Sequence, residues 1–192
     1  HHKVKTLLRR MKQLEKGLGE ACPILVHSDM EVTDSQLNVL DPSFFHYSHI
    51  NPTRSTFGEI LVENPVTGGA RFQYLNFKFE RIREAASGVE ALALLEKEPA
   101  ACFMHDWWIA LTASCFGVID FVPESLSQYR QHGDNVLGAR ASGSLKDCRE
   151  RINRQKEVEE NYRKMIEQAR AFGKMFWQKL DGRQRMILRA YL

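Results

Sequence analysis

The sequence predicts an α/β fold, on three observations. A short apolar run, Ile24–Val26, opens behind Pro23 and reads as a buried strand. Ahead of it lies a segment with apolar residues at three- and four-residue spacing, and an apolar helical segment further on runs directly into a second strand-like stretch, GVIDFV. At 192 residues the chain suits one domain, or one domain with an appendage.

Each element follows from its pattern. Val4, Leu7, Leu8, Met11, Leu14 and Leu18 form one face of a helix over residues 1–18, with Lys and Arg between them and Gly17 and Gly19 near its end. The strand from Ile24 continues by alternation through His27, Asp29 and Glu31. DPSFFHYSHINPTRSTFGEIL, broken by Pro42 and Pro52, reads as loop with a short helix at its end. NPVTGGA is a turn whose paired glycines let backbone amides approach a ligand closely. Residues 72–98 read as helix, most clearly over 80–98, although Gly88 weakens the stripe. Trp107 to Phe116 is a further helix, and GVIDFVPESLSQYRQHG reads as strand, turn and strand. A long amphipathic helix over about 145–172 ends near Gly173, and a last short helix follows Asp181–Gly182. The expected organisation is an α/β body over 1–140 and a basic helical tail over 141–192.

Composition narrows the function classes. Hydrophobic residues make up 43%, too many for a disordered chain, and no run has the length of a membrane span or the form of a signal peptide. Cys22, Cys102, Cys115 and Cys148 are scattered without a Cys-x-x-Cys pair, which points to free thiols in a reducing compartment. The net charge of +3 is uneven. Residues 1–18 carry 6 Lys and Arg against 1 Glu, residues 141–192 carry 13 against 7, and the middle carries 8 against 16. Basic ends suit an anionic surface or partner, and equally suit ordinary solvated helix faces. No nucleic-acid partner is expected, because the basic residues join no recognised reading motif.

Three groups of residues bear on chemistry. FMHDWWIAL sets His105 and Asp106 directly before Trp107 and Trp108. Either the carboxylate acts on a bound ligand, or Asp106 is a helix N-cap with the indoles in the core. In HSDMEV, alternation puts Asp29 and Glu31 on one strand face; the pair suits a divalent cation on a diphosphate, or a polar strand end. His46 and His49 have a spacing a metal can use on a helix, but Pro42 and Pro52 surround them and no carboxylate joins the local group. No metal site is therefore assigned to this chain.

Taken in order, PILVHSDMEVTDSQLNVLDPSFF, ENPVTGGA, MHDWWIALTASCFGVIDFV and LSQYRQHGDNVLGA resemble the later half of bacterial family 2 glycosyltransferases, especially the rhamnosyltransferase-like branch. The resemblance covers roughly residues 1–140 and rests on the motifs in combination. It implies an incomplete GT-A type, Rossmann-like sheet with flanking helices. It implies transfer of a sugar, with inversion, from a nucleotide-diphosphate donor to a hydroxyl of a glycan or lipid-linked acceptor, in cell-wall or polysaccharide synthesis. By position Asp106 is then the catalytic base. His105 orients that carboxylate or touches the acceptor, and Trp107 and Trp108 offer a sugar ring an apolar face. Arg130 and His132 fall where the family places groups near the donor diphosphate, with an exposed loop as the plain alternative. Thr67, Gly68 and Gly69 fall in the turn lining the donor-sugar and acceptor pocket, or form a simple tight turn.

The resemblance also sets expectations about what lies elsewhere. The family uses Mg²⁺ or Mn²⁺, held by an acidic cluster upstream of the segment matched here. The nucleotide-binding half is expected on an upstream segment or a separate chain, so this chain alone is expected to be slow or inactive. Residues 71–87 look longer than the family's connection and read as an insertion. The expected location is cytoplasmic, with peripheral contact on the inner face of the membrane. A second reading is a non-catalytic relative that docks on a membrane or partner: Arg170, Lys174, Lys179, Arg183 and Arg185 beside Phe172, Phe176 and Trp177 have the mix of an interfacial helix, or of a helix packed on its own domain.

Overall fold

The computed structural model describes residues 2–19, 22–66, 74–75, 103–131 and 147–192, with the backbone alone at 74–75, 105 and 147–157. The helix expected over 80–98 and the insertion expected over 71–87 lie outside the described residues, apart from the backbone of Tyr74 and Leu75. In chain order the elements are α1 (His2–Leu18), β1 (Ile24–Thr33), β2 (Val39–Asp41), α2 (Phe44–Ser48), α3 (Phe57–Val62), β3 (Tyr74–Leu75), α4 (His105–Phe116), β4 (Val118–Arg130), α5 (Asp147–Phe176) and α6 (Gly182–Tyr191). The fold is mixed α/β, a small mixed sheet flanked by helices.

β1 is the axis of the sheet. β4 runs parallel to it along one edge, from Ile24↔Val118 to Thr33↔Arg130. The other edge carries two short antiparallel strands at opposite ends, β3 at Leu25 and Val26 and β2 at Val32 and Thr33. Alternation sends neighbouring β1 residues to different cores. Ile24 and Val26 meet Leu7 and Met11 of α1 together with Val122. Leu25 instead joins α3, α4 and the end of α5. A strand covered on both faces has no solvent side, which is why Ser28 and Met30 are buried alongside His27 and Asp29.

α1 is fixed by charge as well as packing. Arg10 donates from Nε (2.7 Å) and Nη2 (2.8 Å) to the two carboxylate oxygens of Asp120 on β4, a bidentate pair. Lys3 Nζ reaches Ser127 Oγ at 3.0 Å. Part of the basic surplus at the start of the chain therefore serves contacts within the molecule.

The elements depart from the sequence pattern in four places, the first being Tyr74–Leu75, read as part of a helix over 72–98 but paired as strand β3 with β1. Residues 118–130 form one strand, not strand–turn–strand: pairing shifts register between Ser28↔Val122 and Asp29↔Ser125, so Pro123 and Glu124 bulge out where proline needs no ladder bond. The loop after β2 holds two helices, the first capped by the Ser43 side chain accepting from His46 N. α5 passes Gly173 and ends at Phe176. A Cβ at Gly173 would come 2.8 Å from Leu188 Cδ2, so the glycine marks a close approach of α5 to α6.

The largest core joins both parts of the chain. Leu25, Phe57, Ile60, Trp107, Trp108 and Leu111 share one cluster with Ala169, Phe172, Phe176, Leu180 and Leu188. α6 starts at a capping box in which Asp181 Oδ1 accepts from Gln184 N (2.7 Å) and Gln184 Oε1 accepts from Asp181 N (2.9 Å). Gln184 Nε2 then donates to the Cys115 carbonyl at 2.9 Å, tying α6 to the far end of α4. Among the described residues no helix is long and apolar enough to cross a membrane.

Candidate active site at the start of α4

α4 begins at His105, with Met104 as an N-cap that makes no side-chain capping bond. Asp106 is thus not the cap but stands in the first turn, where the unpaired amides of a helix start favour a negative group. It is 4% exposed, and its Oδ1 accepts from the Trp107 amide at 2.8 Å.

A buried frame holds this turn. Phe103 N, just before the helix, donates to Gln168 Oε1 of α5 at 3.0 Å, and Gln168 is 1% exposed. Trp107 Nε1 donates to the Ile60 carbonyl at the end of α3, at 2.6 Å. Trp108 meets Phe172 edge-on at 5.4 Å and Phe176 at 6.2 Å between ring centroids. Both indoles are 8% exposed. Their rings are engaged in the core, so in this structure they fix the helix start and offer no open face to a sugar. The backbone of His105 opens the helix.

The remaining predicted site residues divide by position. Arg130 is exposed at the end of β4, opposite Thr33, and the next residue continues the ladder through Gln131 N to Thr33 O at 2.8 Å. His132, Thr67, Gly68 and Gly69 lie outside the described residues. The described chain before Thr67 ends at Val66, whose N donates to Oδ1 of buried Asn64 at 3.0 Å.

The acidic pair on β1 does not converge on a cation. Asp29 is buried and accepts from Met30 N (2.7 Å), Phe44 N (3.0 Å) and Ser43 Oγ (2.6 Å), so its carboxylate holds the entry to α2. Glu31 accepts from Gln128 Nε2 at 3.1 Å. His46 Nδ1 pairs with Asp41 Oδ2 at 2.7 Å, while His49 is a left-handed C-cap with φ 56°. The Ser43 amide and the His46 ring together hold Asp41 below the usual carboxylate range. Among the described residues no group of three or more His, Cys, Asp or Glu side chains has the arrangement to hold a metal ion, so they do not fit the family's Mg²⁺ or Mn²⁺.

Sequence reasoning passed over the residues that build the frame. Gln168 gives no local signal, since its partner lies 65 residues away. Asp120 reads as an ordinary strand residue until Arg10, 110 residues earlier, is brought to it. His27 directly follows the apolar run Ile24–Val26 and is buried among Phe45 and Phe121, with neither ring nitrogen in a hydrogen bond of good geometry. No family model, no curated protein and no solved structure matches this chain.

Proposed function

We propose that the chain is the acceptor-side part of an inverting, GT-A type family 2 glycosyltransferase, with Asp106 as its general base. The observation that carries this reading is a carboxylate in the first turn of α4, held by its own helix amide and braced from α3 and α5. A base must stand within hydrogen-bond reach of the hydroxyl it deprotonates, and a rigid helix start meets that demand better than a loop. The ordered motifs from β1 to the end of β4 and the parallel β1–β4 pair with α4 between them in sequence support the same reading.

In this reaction the acceptor oxygen forms a bond to the anomeric carbon as the bond to the diphosphate oxygen breaks. The electron pair leaves with the nucleotide diphosphate, and the hydroxyl proton goes to Asp106. Attack from the face opposite the leaving group inverts the centre. Arg130 and His132 are proposed to face the diphosphate, where positive charge or a donor would stabilise the leaving group. Thr67, Gly68 and Gly69 are proposed to line the sugar pocket, with His105 orienting the base. Trp107 and Trp108 act through Asp106, by fixing its helix turn. The described residues supply no ligand set for the family's cation, and no step is assigned to it. The donor is a nucleotide-diphosphate sugar, the acceptor a glycan or lipid-linked glycan, and the proposed location is the cytoplasmic side of the membrane.

Two measurements test this. Thermal-shift titration with UDP, GDP and dTDP, each with and without Mn²⁺, asks where the donor is held: a metal-dependent shift with one nucleotide means a donor site in this chain, and no shift with any means that the donor is held by another segment or chain. Transfer of labelled sugar, measured with the nucleotide-binding half present, is expected to fall about 10²–10⁴-fold in Asp106→Asn, with an unchanged melting temperature. Transfer that survives this substitution at the parent rate removes Asp106 from the role of base.

A further inference from the structure

The basic residues of α1 sort into two sets. Lys3 and Arg10 turn inward onto β4, to Ser127 and Asp120. The others, Lys5, Arg9, Lys12 and Lys16, are exposed, and none of them has a hydrogen bond or ion pair with another described residue. Their spacing of four, three and four residues places them within about 60° of one another around the helix axis, in a straight row about 16 Å long. Buried Leu7 and Met11 and half-buried Leu14 lie on the opposite side.

The row is not an ordinary solvated face. Such faces mix signs at this spacing, as Glu160 and Lys164 do on α5 at 2.7 Å. Like charges three and four residues apart repel, so the row costs α1 stability that nothing within the described residues returns. The one acid of α1, Glu15, is half-buried and stands to the side of the row.

The chemistry of the row selects its partner. α1 holds no aromatic residue, and three of the four cations are lysine. Protein partners are gripped by aromatic and arginine anchors, and lysine is depleted where they meet. A nucleic-acid duplex winds through about half a turn over about 16 Å, away from a straight row. An anionic bilayer is flat over that length, and each Lys or Arg near it raises partitioning about fivefold. The apolar side of α1 is already in the core, so contact is with the headgroups and nothing inserts.

We infer that the Lys5–Arg9–Lys12–Lys16 face of α1 docks on an anionic lipid bilayer, by charge alone. The inference rests on α1 and does not require Asp106 to be a base.

The test is co-sedimentation of the full chain with vesicles of phosphatidylcholine, alone or with about one third phosphatidylserine, at about 0.05 M and about 0.5 M salt. Binding is expected to the anionic vesicles at low salt only. Lys5→Gln, Arg9→Gln, Lys12→Gln and Lys16→Gln together are expected to lower the partition coefficient at least about 100-fold, in a chain that melts no lower than the parent. Arg170→Gln, Lys174→Gln, Lys179→Gln and Arg183→Gln together remove the same charge from exposed positions near the other end of the chain, and are expected to change it less than about fivefold. The inference is overturned if the anionic vesicles are not bound, or if phosphatidylcholine alone is bound as tightly. It is overturned as well if the second set of substitutions weakens binding as much as the first, which would make net charge the cause. Binding of a DNA duplex or polyglutamate through the four α1 residues, with no binding of vesicles, would assign the row to a macromolecule instead.

Discussion

His27 carries a pH dependence that follows from where it is buried. The Asp120 and Asp29 carboxylates and the Pro52 carbonyl favour its charged form, yet desolvation outweighs them and its pKa falls to about 4. An unfolded histidine titrates near 6.5, so between those values the unfolded chain binds more protons than the folded one. Stability is then complete above about pH 6.5 and is lost as pH falls toward 4, by about 3 kcal/mol at the limit. Lowered carboxylates such as Asp41 and Glu59 add losses of the same sign at lower pH. Replacement separates the contributions. The drop in unfolding free energy between pH 7 and 4.5 is expected to be about 2–3 kcal/mol smaller in His27→Phe than in the parent, by urea denaturation. Equal drops would mean that the imidazole is solvated and not buried. Nothing in the sequence marks this residue. Its walls, Phe45 and Phe121, come from a helix read as loop and from a strand some ninety residues on, so its burial exists only after β1 and β4 pair.

At the scale of elements, the join between α4 and β4 depends on one missing side chain. Gly117 N donates to Ala113 O to close α4, and Val118 N donates to Pro23 O to begin the pairing with β1. A Cβ on Gly117 would lie 1.9 Å from Pro23 O and 2.7 Å from Pro23 C, and backbone cannot swing aside as a side chain can. Gly117→Ala is therefore expected to cost about 3 kcal/mol by denaturant titration. Gly17→Ala, where the added methyl meets nothing within 4 Å inside α1, is expected to stabilise by about 0.5–1 kcal/mol. A Gly117→Ala cost no larger than that of an exposed substitution would show that the α4–β4 turn lies further from Pro23. Elements whose apolar spacing is local were legible: α1, the opening of β1, α4 to within two residues, and the Asp181 start of α6. Those set by tertiary pairing were not. Pro123 reads as a turn because its bulge is defined only against β1, and α5 passes Gly173 because Leu188 of α6 closes on it. The start of α4 was half legible: the His–Asp–Trp–Trp order named the turn, but not whether the indoles face a ligand or the core. Ile60, Phe172 and Phe176 decide that, and they come from α3 and α5.

For the whole molecule, the question is whether the basic tail is an attachment or part of the body. A docking tail would carry its apolar residues outward. Here Phe172, Phe176, Leu180 and Leu188 are buried in the same cluster as Trp108 and Leu111, while Arg185 and Arg189 stack on half-buried Trp177 at 5.6 and 4.9 Å. Removing residues 174–192 would take Phe176, Leu180 and Leu188 from that core. Each such side chain contributes about 1.5–3 kcal/mol through burial, and the vacated space adds a cavity cost. The sum is of the order of a domain's whole stability, about 5–15 kcal/mol. The truncated chain is therefore expected to lose its cooperative thermal transition and near-ultraviolet tryptophan signal, and Phe176→Ala alone to cost about 3–5 kcal/mol. A truncated chain that melts as cooperatively as the parent, and loses only its binding to anionic vesicles, would instead make the tail a docking device. The stakes reach α4 directly. Trp108, two residues after Asp106 on α4, packs on Phe176, so loosening the tail is expected to loosen the turn proposed to hold the base, and transfer should fall in Phe176→Ala although that side chain lies in the core.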